Sequence, residues 1–187
     1  MHVHLARTQL DLVARWQLLA AGWTERQVGD RAWRHRWRAI HNGVYALCQA
    51  PLRQEQQWLA ACLTAPGTLL AGASAAACWG VTERDPAIPN VVRPGTGGPR
   101  RHGSVVVRHS TRLAAEIDWC GVIPVTSPER TLIDLAPHLD RRALARATRE
   151  GMRLKLLTAH SILDAIARHR GWRGTTQLRA IATRYAN

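Results

Sequence analysis

The stretch TERQVGDRAWRHRWRAIHNGVYAL, residues 24–47, carries five arginines, two histidines and two tryptophans. The arginines are Arg26, Arg31, Arg34, Arg36 and Arg38. A guanidinium is a planar fork that matches phosphate oxygens and guanine edges, and a glutamine amide can pair with adenine in a similar bidentate way. At helical spacing Val28 and Ala32 face the core, while Arg31 and Arg34 share a face with Gln27 and have Arg26 beside them. On a helix laid in a major groove, Gln27 and Arg31 would stand at base edges. Arg34, Arg36, Arg38 and His41, with Asn42 at the turn that follows, would lie at the helix end and on a hairpin, where phosphate contact is the natural role. The same residues also fit a solvated helix face and a hairpin edge guarded by charge. Trp33 and Trp37 are expected in the core between helix and hairpin.

A second basic series lies in DRRALARATREGMRLKLL, where Arg142, Arg146, Arg149 and Arg153 recur at i, i+4, i+7 and i+11. They form one stripe, with Leu144, Ala147, Thr148, Gly151 and Leu154 on the opposite face. Such a stripe suits a DNA backbone, an acidic protein surface or plain solvent. The loop around Arg100, Arg101 and His102 can add to it. Bond-making chemistry has weaker support. The nine histidines are scattered, apart from His2 and His4 at the N-terminus. Cys48, Cys62, Cys78 and Cys120 lack CxxC spacing, so buried reduced thiols are expected rather than a zinc site. The reading is a protein with no metal, no cofactor and no catalytic centre.

These residues belong to a 187-residue chain with 46% hydrophobic and 21% charged residues, enough for a true core in one medium domain or two small ones. Lys and Arg number 26 against 13 Asp and Glu, a formal net charge of +13. A field of that sign attracts nucleic acid, anionic lipid or an acidic protein. Lys155 is the only lysine, so the excess is arginine, part of which reflects the codon bias of a GC-rich genome. Without a signal-peptide pattern or an 18-residue apolar run, a cytoplasmic, nucleoid-associated protein is expected, with no membrane partner.

The elements that must hold the basic face can be read locally. Leu5–Ala14 and Arg15–Ala21 have helical spacing, and Gly22 ends the second. Thr24 offers an N-cap, Gln27 the reciprocal partner of a capping box, and Trp23 with Val28 a hydrophobic staple. Gln27 cannot fully serve both the box and a base. Asn42-Gly43 between apolar runs predicts a hairpin. Helix, Gly turn, capped helix and hairpin is the order of a winged helix-turn-helix, assigned to residues 1–50.

Residues 53–187 read as a mixed α/β domain with a helical C-terminus, which makes the chain α+β overall. They comprise a helix in PLRQEQQWLAACLTAPG, a short strand and a helix capped at Ser74 in TLLAGASAAACWGV, and strands in IPNVV, SVVVRHS and GVIPV. The segment RPGTGGPRRHG is expected as a loop. Ser127 as N-cap with Pro128 after it opens another helix. The chain is then helical from Asp140, with breaks near Thr158 and Gly171–Gly174.

The segments QLLAAGWTERQVGDRAWRHRWRAIHNGVYAL, SAAACWGV and GVIPVTSPERTLIDLA resemble the AbiEi-type antitoxins over most of the chain, from about Leu12 to Leu178. The resemblance implies a winged helix-turn-helix that binds inverted repeats in double-stranded DNA at the promoter of its own operon. It also implies a second domain associated with antitoxicity and a cognate toxin of the nucleotidyltransferase type. Thr126, Arg130 and Asp134 match the family pattern; the i,i+4 spacing of Arg130 and Asp134 fits a structural ion pair or a toxin contact. Binding could involve a dimer or monomers that pair only on the operator. The alternative is a protein-interaction module, or a general transcriptional regulator without a toxin partner.

Two departures from the family pattern stand out. Ala71-Gly72-Ala73 replaces the Ser-His that often precedes the Ser-Ala-Ala piece, so any role of that histidine is absent. Longer relatives continue into a Vsr-like endonuclease after a segment like GTTQLRAIATRYAN. Such a nuclease needs a D…(D/E)xK set to hold its metal, and Lys155 has no acid two residues before it. The nuclease is therefore expected to be missing.

Overall fold

A computed structural model describes residues 6–83 and 85–186, which leaves His2, His4 and Leu5 outside the described residues. Leu12, Val13 and Ala14 are fully buried and form β1 (Leu12–Ala14), followed by α1 (Arg15–Ala20). This corrects the helix expected over Leu5–Ala14, of which only one turn near residues 6–8 is helical. Leu10 and Asp11 adopt φ of 54° and 62°, which ends any helix there. The apolar run that follows then gains a strand partner far along the chain.

Thr24 caps α2 (Glu25–Arg34) as expected, and β2 (Arg38–His41) and β3 (Val44–Ala46) close the hairpin over Asn42-Gly43. The three strands form a sheet of order β1-β3-β2, with Leu12 opposite Ala46. Val13, Leu18 and Val28 make a small core beneath α2, with Trp23, Trp37 and Tyr45 packed against it. Trp33, expected in that core, is 84% exposed. Trp37 takes the interior place beside Tyr45, at 5.9 Å between ring centroids.

The following helix, α3 (Gln54–Cys62), is buried along Gln56 and from Trp58 to Cys62. Its Leu59 and Ala60 share one core with Leu12, Ala14, Val44 and Ala46 of the first sheet and with Val91, Val107 and Val125 of the second. Two side chains reinforce this contact: Gln56 Nε2 donates to the Leu10 carbonyl at 2.9 Å, and Trp16 Nε1 donates to that of Leu63 at 2.8 Å.

The second sheet contains β4 (Leu69–Leu70), β5 (Asn90–Pro94), β6 (Arg100–His102), β7 (Val105–Ser110), β8 (Ile117–Cys120) and β9 (Ile123–Thr126). Its order is β6-β7-β5-β4-β9-β8, with β4–β9 and β5–β7 parallel and the other pairs antiparallel. β6 corrects the loop expected over residues 93–103: as an edge strand it can expose all its side chains while its backbone pairs with β7. Ser74 lies inside α4 (Gly72–Cys78), whose N-cap is Ala71, and not at its start. It is fully buried, and its hydroxyl oxygen accepts the Asn90 N–H at 3.1 Å.

The C-terminal third is helical: α5 (Pro128–Leu135), α6 (Arg141–Arg153), α7 (Ala159–Arg168) and α8 (Thr175–Ala186). Leu132, Ile133, Leu144, Ile162, Ile166 and Leu178 are its innermost side chains. Ser127 caps α5 and is followed by Pro128, as the sequence predicts. The four cysteines are free, and Cys62 is the fully buried one.

Candidate nucleic-acid interface

The capping box fixes the start of α2. Thr24 Oγ1 accepts the Gln27 N–H at 3.2 Å, and the Gln27 side-chain oxygen accepts the Thr24 N–H at 2.8 Å. Arg15 clamps Glu25 through Nε at 2.6 Å. Val28 faces inward as the buried residue of the helix, which leaves its polar residues and Trp33 on the rest of the perimeter. Gln27, Arg31 and Arg34 line one groove of about 520 Å³ with Gly22, Trp23 and Asp30. The Arg31 guanidinium lies 5.7 Å from the Trp23 ring centroid, and its Nη1 donates to His35 Nε2 at 2.9 Å. Arg26 projects into solvent, 3.9 Å from Asp30.

On the other flank of α2, Arg34, Arg36 and Arg38 line a groove of about 850 Å³ with Trp33, Trp37 and Gln49. Arg36 turns the chain out of the helix at φ 50°, and its carbonyl accepts from Gln49 Nε2 at 2.6 Å. Arg38 Nη2 donates to the Ala50 carbonyl at 2.5 Å. Arg38 thus also anchors the hairpin. His41 and Asn42 stand apart from both grooves. They line a cleft of about 330 Å³ with Thr64, Arg93, His102 and Ser104. His41 Nδ1 lies 2.9 Å from Ser104 Oγ, and burial pushes the imidazole below its ordinary pKa, so the ring is neutral at neutral pH.

Sequence reasoning missed Arg93. Nothing near it in the chain marks it, because its hydrogen-bond partners Thr68 and Thr64 lie 25 and 29 residues away.

The arginine stripe lies on α6, which Asp140 caps by accepting the Ala143 N–H at 2.8 Å. Arg142, Arg146, Arg149 and Arg153 are exposed, while Leu144, Ala147, Thr148 and Gly151 are buried. Leu154, expected on the buried face, is the C-cap and 38% exposed, because the helix ends there. Glu150 holds Arg153 at 2.9 Å. Arg146 and Arg149 line a groove with Thr82 and Glu83.

Thr126, Arg130 and Asp134 are all on the inside. The Thr126 and Thr131 hydroxyls lie 2.9 Å apart in a buried contact. Arg130 Nε donates to Asp134 Oδ1 at 2.9 Å, and Nη1 pairs with Glu116 Oε2. The other Glu116 oxygen lies 2.5 Å from His169 Nε2, and Trp172 sits 4.7 Å under the guanidinium. Burial pushes the Asp134 carboxyl up, against the pull of Arg130.

The segment that holds this ion network falls within a family match: residues 60–182 match the family described as AbiEi antitoxin C-terminal domain. The chain belongs to the AbiEi antitoxin family. Membership makes it an antitoxin of the toxin–antitoxin kind, with a toxin as its general class of partner. The AbiEi match begins inside α3, after the basic helix and hairpin. The AbiEi chain is also similar in fold to the RV2827C protein from Mycobacterium tuberculosis, whose crystal structure superposes with a TM-score of 0.54. The two are 20% identical, over 97% of this chain and 75% of that one. No curated protein matches the chain. Among the described residues, no helix is long and apolar enough to cross a membrane, and no cluster of side chains could hold a metal ion.

Proposed function

We propose that this antitoxin represses its own operon by binding inverted repeats in double-stranded DNA through a winged helix-turn-helix formed by residues 1–50, and that residues 53–187 counteract a nucleotidyltransferase-type toxin. The observation that carries the DNA reading is the groove in which Gln27, Arg31 and Arg34 converge, on a helix whose Val28 face is buried and which leads into a basic hairpin. Gln27 and Arg31 read base edges; Arg26, Arg34, Arg36 and Arg38 hold phosphates. His41 and Asn42 contact the backbone beyond the hairpin. The protein acts in the cytoplasm at the nucleoid, without cofactor or catalytic step, as monomers that pair on the operator or as a dimer.

A second reading, a protein-docking module, is favoured by Trp33, which stands exposed on α2 where a partner could cover it. Titration of the full chain against its own upstream DNA, with random-sequence competitor and a salt series, separates the two. A DNA reader that neutralises about five phosphates gives a log–log salt slope of about −4 to −5, and Arg31→Ala abolishes the competitor-resistant binding. Binding erased by competitor, with equal losses on every sequence for Arg31→Ala and Arg36→Ala, would turn the assignment toward the docking module.

A further inference from the structure

We propose that the cleft between the β2–β3 turn and the β6–β7 turn is a phosphate pocket built on Arg93, which takes one phosphodiester of the DNA backbone. It rests on the DNA-binding reading above and extends that interface from the hairpin onto the second sheet.

Arg93 lies on β5 and is held from one side only. The Thr64 and Thr68 hydroxyls donate their protons to the carbonyls of Ala61 at 2.5 Å and Ala65 at 2.8 Å. Their oxygens are therefore left as acceptors, taking Arg93 Nη2 at 2.9 Å and Nε at 3.2 Å. Both partners are neutral, and Nη1 has no partner among the described residues. No carboxylate pairs with Arg93 among the described residues. A partly buried guanidinium without a counter-ion is in deficit: burial pulls its pKa down, and an anion would restore the balance.

The cleft supplies what such an anion needs. Arg93 enters its wall with the Nη1 side uncommitted, and a fork of this kind matches the paired oxygens of a phosphate. His41, Asn42, His102 and Ser104 add polar groups, and no acidic residue lines the cleft. Thr64 and Thr68 fix the guanidinium in advance, so less freedom is lost on binding. Asn42 is the exposed tip of the hairpin, and Arg38 stands three residues before His41 on β2. On the far side, His102 continues along β6 into the exposed Arg100 and Arg101. The pocket therefore lies between two basic runs, where a backbone passing the hairpin would cross it.

The test uses the full chain, titrated with its upstream duplex and with a random duplex over a salt series. Arg93→Ala is expected to weaken both duplexes alike, by roughly tenfold, and to reduce the salt slope by about 0.9, the value of one phosphate. Arg93→Lys, which keeps the charge, is expected to keep most of the slope. His102→Glu changes an exposed residue and leaves the Thr64–Arg93–Thr68 bonds alone; it is expected to weaken both duplexes alike even if Arg93→Ala fails to fold. A wild-type slope in Arg93→Ala and undiminished binding in His102→Glu would overturn the pocket and leave the DNA reading standing. A wild type that binds no duplex would overturn the DNA reading and, with it, a backbone phosphodiester as the occupant. Inorganic phosphate, followed by the His102 ring resonances, would then decide the anion site alone: a saturable shift lost in Arg93→Ala retains it, and no shift removes it.

Discussion

Arg130 and Glu116 form an ion pair with side chains only 4% and 8% exposed, which joins the start of α5 to the segment leading into β8. The pair is not isolated, because Asp134, His169 and Trp172 close around the same guanidinium and carboxylate. A toxin could reach Arg130 only after this part of the fold had opened. The Arg-Asp spacing in the SPERTLIDLA block is therefore a structural feature of the fold.

Removing one partner of this network leaves buried charges uncompensated. Arg130→Met is expected to cost about 3–5 kcal/mol in denaturant unfolding. Glu116→Leu added to Arg130→Met should recover part of that loss, because the pair is then replaced by apolar volume. A loss under about 1 kcal/mol for Arg130→Met would mean that the network carries no weight.

The Thr24–Gln27 box bears on fold and recognition separately. Thr24→Ala is expected to lower stability by about 1 kcal/mol through loss of the cap. The Gln27 side-chain oxygen is engaged by the Thr24 N–H, yet the box makes no use of its amide NH₂, which can still donate to a base. Gln27→Ala should thus change sequence preference more than melting temperature. A variant that loses stability while reading the same sequences would confine Gln27 to the cap.

Arg146 and Arg149 are exposed on α6 beside the groove that contains Glu83. Arg146→Glu with Arg149→Glu is expected to leave the melting temperature within a degree or two and to weaken DNA binding or toxin neutralisation several-fold. If both activities stay at the wild-type level in a folded double variant, the stripe faces solvent and nothing else.

Acidification should weaken the junction between hairpin and second sheet. Burial holds His41 below its ordinary pKa, so the folded state favours the neutral ring. Its contribution is complete above the ordinary histidine value and is lost as pH falls through the lower folded value. His138 acts with the same sign, through burial first and then Arg108 and Arg173. Denaturation midpoints at pH 7.5 and pH 5 should therefore differ less in His41→Gln than in the wild type. An equal difference in both proteins would assign the acid sensitivity to other groups.

Local chemistry was enough to place several elements. The Thr24 box, the Ser127-Pro128 start, the helical run from Asp140 and the Asn42-Gly43 hairpin are each decided within a few residues, so the sequence carries them openly. Gln27, Arg31 and Arg34 were legible for the same reason, because i,i+4 and i,i+7 spacing determines which residues share a helix face. The resemblance carried by GVIPVTSPERTLIDLA also agrees with the matched family.

Other features depend on residues far apart in the chain. Leu12–Ala14 became a strand because Val44–Ala46 offered a ladder, and β6 and β8 found partners in the same way. Trp33 and Trp37 have equal claims on the core by composition; the path of the hairpin chose Trp37. Asp134 was readable as a partner of Arg130 at i+4, but Glu116 and His169 were not. Arg93 meets Thr64, Thr68 and the hairpin tip only after two sheets have closed around α3. The sequence by itself determined the caps at Thr24 and Ser127, the turn at Asn42-Gly43 and the basic helix face, since each rests on contacts within one or two turns of chain. The tertiary structure alone decided which strands paired, which of Trp33 and Trp37 packed against the small core and where the uncompensated arginine came to lie, because those outcomes depend on burial shared between distant segments.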